Sequence, residues 1–183
     1  MIQIMSNQIA ERFRALPSEH HDYVPGDLVF RRDGPVEWLH FVDRGLVHLL
    51  RYKADGGMTV LQRAEANYFL AEASLFSPSY HCDAQAITAA SLTRFRKSAV
   101  IAALNSDPEL AAEWAKYLSR EVQRTRARAE LLALRKLSDR LDAWLEIGDR
   151  VLPEKGQWIS VAREIGVSPE ALYRHLAATR SKQ

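Results

Sequence analysis

The sequence predicts an α+β protein with a β-sandwich or barrel in front, one long helix behind it, and a helix-turn-helix at the back. Three observations predict this. Short β-rich runs separated by turn signals fill the stretch from Tyr23 to Arg96. A segment without Gly or Pro then runs from Glu109 to Ile147. Residues 158–176 carry the small, glycine, cap and apolar positions of two short helices joined by a tight turn.

Each element follows from local chemistry. Residues 6–16 place Ile9, Phe13 and Leu16 four and three apart, which predicts a short helix. Pro25-Gly26 precedes the run Asp27–Phe30. Leu39–Val42 leads through Asp43-Arg44-Gly45 into Leu46–Leu50, and Asp55-Gly56-Gly57 separates that run from Met58–Leu61. Asp-Gly and Gly-Gly supply the positive φ angles of tight turns. Further strands are expected over Asp83–Ile87 and Ser91–Arg96, while His20 and His21 read as loop.

Ser106-Asp107-Pro108-Glu109 combines a cap, an early proline and an acidic first turn, a strong helix start. Beyond it Leu110, Trp114, Tyr117 or Leu118, Val122, Thr125, Ala129 and Leu132 recur every three or four residues. Such a stripe suits pairing with the same helix of a second copy; the competing reading packs it on the chain's own β-domain. A further helix is expected over Leu137–Ile147, then a loop from Gly148 to Gly156. The expected division is 1–104 for the β-domain, 105–135 for the dimerisation helix and 136–183 for the DNA-binding domain.

In the last segment, Ala162 is small where two helices approach and Gly166 permits a left-handed turn. Ser168 caps the second helix, Pro169 takes its first position and Glu170 its positive first turn. A helix of this kind enters the major groove of DNA with its N-terminal residues on base edges. The expected readers are Ser168, Pro169, Glu170, Tyr173 and Arg174. Arg174 is suited to guanine and Glu170 to cytosine N4.

Composition excludes several classes. With 47% hydrophobic and 26% charged residues among 183, wholesale disorder is out. No apolar run spans a bilayer, and Met1–Met5 is too short for a signal peptide, so a cytoplasmic protein with no membrane partner is expected. Cys82 is the single cysteine, which excludes an internal disulfide and a four-cysteine metal site. The net charge of +2 permits a nucleic-acid partner without demanding one. Arg120, Arg124, Arg126, Arg128, Arg135, Lys136 and Arg140 crowd one stretch, and Arg174, Arg180 and Lys182 lie near the end.

The whole arrangement resembles the Crp/Fnr family of bacterial regulators. Pro25–Phe30 resembles its opening strand, Phe41–Val47 its strand-turn-strand, and Ala71–Phe76 the short helix that cradles a phosphate in members binding cyclic nucleotide. Leu134–Leu141 resembles the joint to the DNA domain, and Glu170 and Arg174 stand at base-reading positions of that family. The resemblance implies a jelly-roll β-domain of the cyclic-nucleotide-binding type, a homodimer, double-stranded DNA as partner, and RNA polymerase as a further candidate partner. It places a candidate effector pocket at Glu72, Ala73, Ser74, His81 and Cys82.

Three departures qualify the resemblance. The cassette's glycine is Ala71, and Tyr80–Asp83 stands where its arginine belongs, so no cation is expected to face a phosphate and dependence on cyclic AMP is not expected. The cysteines of the iron–sulfur branch are absent. The sequence ends at Gln183, just after the recognition helix, without the usual wing hairpin.

His81 and Cys82 suggest a haem ligand or an oxidisable thiol, but neighbours on a strand face opposite ways, and a lone cysteine is commonly a small buried apolar residue. No cofactor and no metal are expected. A cupin-like metal enzyme would need a His-x-His pair with a following Glu, which is missing. The chain is therefore read as a regulator and not an enzyme. The alternative is a dimeric sensor that has lost DNA binding and binds another protein.

Overall fold

The computed structural model describes residues 2–52, 57–147 and 150–180. The Asp55-Gly56 half of the expected hairpin turn, Gly148 at the head of the expected loop, and Lys182 and Gln183 lie outside the described residues. Helix α1 (Ile2–Phe13) precedes strands β1 (Ser18–Tyr23), β2 (Leu28–Phe30), β3 (Trp38–Arg44), β4 (Leu46–Tyr52), β5 (Met58–Glu65) and β6 (Tyr68–Leu70). A single 3₁₀ turn (Glu72–Ser74) leads on to β7 (Asp83–Ala86) and β8 (Ala90–Arg96). Helices α2 (Lys97–Ser106), α3 (Pro108–Ala133), α4 (Leu137–Glu146), α5 (Trp158–Ile165) and α6 (Pro169–Arg180) complete the chain.

The strands form two four-stranded sheets, in the orders β1-β8-β3-β6 and β2-β7-β4-β5. This is the sandwich the short alternating runs imply. His20 and His21 belong to β1, paired with Thr93 and Leu92 of β8, and not to a loop. The sequence SEHHDY has no apolar alternation because β1 is an edge strand with a largely exposed face.

The chain divides into two compact units, Met1–Arg51 with Val60–Glu121, and Tyr52–Thr59 with Val122–Gln183. This cut falls inside α3, the first half of which is packed into the first unit. Leu110, Trp114 and Tyr117 are buried with Phe13, Phe41, Phe69 and Phe95. The Trp114 ring sits edge-on to Phe69 at 5.1 Å and stacks on Tyr117 at 5.4 Å. Leu110 and Trp114, expected on a seam between two chains, are therefore core residues of their own domain. A second cluster, including Val42, Val47, Leu49, Leu70, Cys82 and Leu92, fills the sandwich.

Asp107 starts α3 as expected: its Oδ1 accepts the Leu110 N–H at 3.0 Å. That bond, with Arg12 opposite, holds the Asp107 carboxyl below its ordinary range.

The second unit has its own core of Leu131, Leu141, Trp144, Trp158, Val161, Ala162, Ile165, Leu172 and Leu176. The apolar residues expected to join the two short helices are all in it or packed against it, with Val167 half-buried.

Candidate functional site

Helices α5 and α6 form the unit the sequence predicts. Gly166 adopts φ 69°, ψ 39° and ends α5 in the left-handed region. The Ala171 N–H reaches the Ser168 hydroxyl at 3.2 Å, an N-cap of α6. The Glu170 carboxyl is held below its ordinary range by its own backbone N–H and by Ser168. Gln157 makes no side-chain cap bond, and a 3₁₀ turn (Lys155–Gln157) feeds α5.

Of the five expected base readers, Ser168, Glu170 and Arg174 are exposed and Pro169 is half-buried. Tyr173 differs. Its hydroxyl donates to the Lys155 carbonyl at 2.9 Å and its ring packs on Trp158 at 5.1 Å, so it braces α6 against the turn before α5.

The basic run is divided in role, which sequence reasoning missed. Arg128 donates to the Glu164 carbonyl at 2.9 Å. Arg140 donates from Nη1 to the carbonyls of Ile165 at 3.2 Å and Gly166 at 3.1 Å, and from Nε to Leu134 at 2.6 Å. Two cations thus satisfy the orphan carbonyls at the C-terminal end of α5, where the helix dipole favours them. Arg126, Arg135 and Lys136 stay exposed. Glu164, fully buried, accepts the Trp144 indole N–H at 2.8 Å and the Ser160 hydroxyl at 3.2 Å. We expect Arg140→Ala to cost about 1.5–3 kcal/mol, the range for charge-assisted hydrogen bonds. Hydrogen exchange read on the α5 amides measures it; unchanged protection there would contradict the capping role.

On α3, Val122, Thr125 and Ala129 are exposed and Leu118 and Leu132 half-buried. These five of the seven expected seam residues keep some surface for a partner.

In the β-domain, Ala71 takes φ 59°, ψ 30°, the left-handed conformation in which a β-carbon is strained, and opens the 3₁₀ turn. Ser74 is buried, with its hydroxyl 3.0 Å from Nδ1 of exposed His81. The Gln62 amide donates to the Glu72 carboxylate at 3.3 Å. Ala73 is exposed. Cys82 is fully buried and burial pushes its thiol up to about 11, which makes it an apolar core residue with little thiolate character. The structure also supplies a cation that the cassette sequence does not: Arg51, on β4, donates to the His81 carbonyl at 3.2 Å.

Deeper in the sandwich, buried His40 lies 3.3 Å from the Tyr80 hydroxyl, which itself donates to the Trp38 carbonyl at 3.0 Å. Burial pushes His40 down to about 3, so its imidazole is neutral. Phe30 stacks on the Tyr80 ring at 3.8 Å. Among the described residues no three His, Cys, Asp or Glu side chains are grouped to hold a metal ion, and no helix is long and apolar enough to cross a membrane.

Comparison with known proteins agrees with this architecture. Residues 20–107 match the cyclic nucleotide-binding domain family. No curated protein sequence matches the chain significantly. Among solved structures, FixK2 from Bradyrhizobium japonicum is similar at 20% identity and TM-score 0.80, over 91% of this chain and 86% of that one. The c-di-GMP responsive global regulator CLP of Xanthomonas campestris is similar at 23% identity and TM-score 0.74, over 96% and 92%. A Crp-family transcriptional regulator from Thermus thermophilus is similar at 20% identity and TM-score 0.72, over 88% and 85%.

Proposed function

We propose that this chain, a cyclic nucleotide-binding domain followed by the helices of the Crp/Fnr regulator fold, is a homodimeric transcription regulator that reads double-stranded DNA. The observation that carries the reading is α6: a capped helix after a left-handed glycine, with Ser168, Glu170 and Arg174 exposed on its first turns. Two chains pair along the exposed part of the α3 stripe, from Leu118 through Val122, Thr125 and Ala129 to Leu132. Each α6 then enters one major groove, with half-sites about 34 Å apart, one turn of DNA. The β-domain is the sensor or scaffold, and cyclic AMP is not its signal. The neighbours are regulators and not enzymes, and a soluble cytoplasmic protein that also touches RNA polymerase fits that role.

A second reading, a dimer that binds another protein in place of DNA, has one observation in its favour. Arg128 and Arg140 are committed to carbonyls, which leaves fewer cations for phosphates.

Selection from a random DNA pool, followed by titration of the best site over a range of salt, tests the first reading against the second. A two-fold-symmetric site whose affinity falls with salt is expected. Arg174→Ala is expected to cost about 1–3 kcal/mol at one base pair and to relax preference there. Unchanged base preference in that variant would contradict Arg174 as a reader, and failure to enrich any sequence would favour the protein-binding reading.

A further inference from the structure

We propose that the cavity where the end of β1 and the β1–β2 turn meet the β3–β4 crossing binds an α-amino acid with a large apolar side chain, its ammonium on Asp22 and its carboxylate on Arg44. None of the residues lining this cavity belongs to the effector pocket expected at Glu72, Ala73, Ser74, His81 and Cys82. The site does not depend on the DNA reading.

The cavity measures about 540 Å³ and is bounded by Asp22, Tyr23, Val24, Asp27, Arg44 and the segment Ala89–Ser91. That is the size of a small-molecule site, about 300–1,000 Å³. The sheet fixes its two charged ends. Asp22 of β1 and Arg44 of β3 both stand opposite Ser91 of β8, one on each side of it. Two strand spacings set their backbones about 10 Å apart. Both residues are exposed, and among the described residues neither side chain makes a hydrogen bond or an ion pair. An arginine and an aspartate that line one cavity without pairing offer an anion site and a cation site to the same ligand. A zwitterion answers both charges at once; a simple amine or a simple carboxylate answers one.

The rest of the wall is held still. Asp27 closes its own turn: its Oδ2 accepts the Val24 N–H at 3.0 Å, and its N–H donates to the Val24 carbonyl at 3.1 Å. The turn is tied to β7. The Gly26 N–H donates to the Ala86 carbonyl at 2.8 Å, the Ala86 N–H to the Asp27 carbonyl at 2.9 Å, and the Gln85 amide to the Gly26 carbonyl at 2.9 Å. On the other side, Ala89 and Ala90 back onto Gly45 so closely that no β-carbon fits there. A site formed before its ligand arrives loses little ordering entropy on binding.

The walls select the side chain. Tyr23 is half-buried and packs on the sandwich core, to which Ala90 belongs. Val24 is 63% exposed. Covering these surfaces favours a large apolar group beside the charged ends. Burial pushes the Tyr23 phenol up, against the pull of Arg94 and with the charge of Asp27, so at neutral pH its hydroxyl keeps its proton and can donate to a carboxylate. Asp27 adds a second negative charge to the cavity, which favours the ligand's ammonium and disfavours a bare anion.

The test is titration calorimetry on the full chain at low salt, with phenylalanine, phenethylamine, phenylpropionate and glycine as probes. Phenylalanine is expected to bind most tightly. Phenethylamine lacks the carboxylate, phenylpropionate the ammonium and glycine the side chain; each is expected to bind about fivefold or more weakly. Arg44→Ala, at an exposed position, is expected to melt like wild type, to weaken phenylalanine about fivefold or more, and to leave phenethylamine unchanged. Asp22→Asn is expected to weaken phenylalanine while sparing phenylpropionate. No binding of phenylalanine at millimolar concentration, equal binding of any of the three analogues, or wild-type affinity in either variant would overturn the proposal. The DNA selection is a separate readout. Symmetric DNA sites with no amino-acid binding would remove this site and keep the regulator; amino-acid binding with no DNA selected would do the reverse.

Discussion

Trp114→Ala is expected to lower the stability of the first unit by about 3–5 kcal/mol, the usual cost of emptying a large aromatic site in a core. Trp114 is 4% exposed and its ring meets Phe13, Phe69 and Tyr117 at centroid distances of 5.9, 5.1 and 5.4 Å. Its indole Nε1 has no hydrogen-bond partner among the described residues, so packing alone holds the side chain. Urea unfolding at low and high protein concentration measures the loss. Relative to wild type, the drop is expected to be the same at both concentrations, because the lost contacts lie within one chain. A residue on a seam between chains would behave otherwise: its loss would grow with dilution by mass action. Val122, 49% exposed on the same helix, supplies the contrast. Val122→Asp is expected to dissociate the dimer and leave the Trp114 core intact. A concentration-dependent drop for Trp114→Ala, or a loss below about 1 kcal/mol, would return Trp114 to the seam.

The two readings of α3 show where sequence reasoning stops. Periodicity on that helix identifies which residues need cover but not what covers them. Leu110, Trp114 and Tyr117 lie on one stripe, and Leu118, Val122, Thr125 and Ala129 on its neighbour. Only the tertiary structure shows that the first is closed by Phe13 and Phe69, from distant parts of the chain. Local signals were far more legible. Gly166, Ser168 and Pro169 act within a few residues of themselves, and each does in the structure what its chemistry implies. Strand β8 and helix α4 likewise fall within a residue of their expected bounds. The missed elements had weak local signals. Helix α2, KSAVIAALNS, carries no cap bond at its start and little polar contrast between faces. Strand β1 is polar throughout because it lies at an edge. The candidate effector pocket was half legible: Ser74 and His81 are close in sequence and meet, whereas Arg51 meets His81 through the pairing of β4 with β7, which no spacing rule encodes. The basic run misled for the same reason, since Arg128 and Arg140 find their carbonyl partners 36 and 25 residues away.

Gly45→Ala is expected to be the most damaging single methyl group that can be added to the β-domain, at about 2–5 kcal/mol from left-handed strain plus overpacking. Gly45 stands alone between β3 and β4, and those strands belong to different sheets, so the chain crosses the sandwich within one residue. Its φ of +89° is open to glycine and strained for any other residue. Space is closed as well. A β-carbon there would lie 2.3 Å from the Ala89 carbonyl oxygen and 2.7 Å from the Ala90 Cα, both backbone atoms. Those atoms cannot retreat cheaply, because the Leu46 N–H is bonded to the Thr88 hydroxyl at 3.0 Å and the Ile87 N–H to the Leu46 carbonyl at 2.8 Å. Any relief must therefore shift β4 along β7. Thermal or urea unfolding reads the loss. A variant that keeps wild-type stability would show that the crossing has slack.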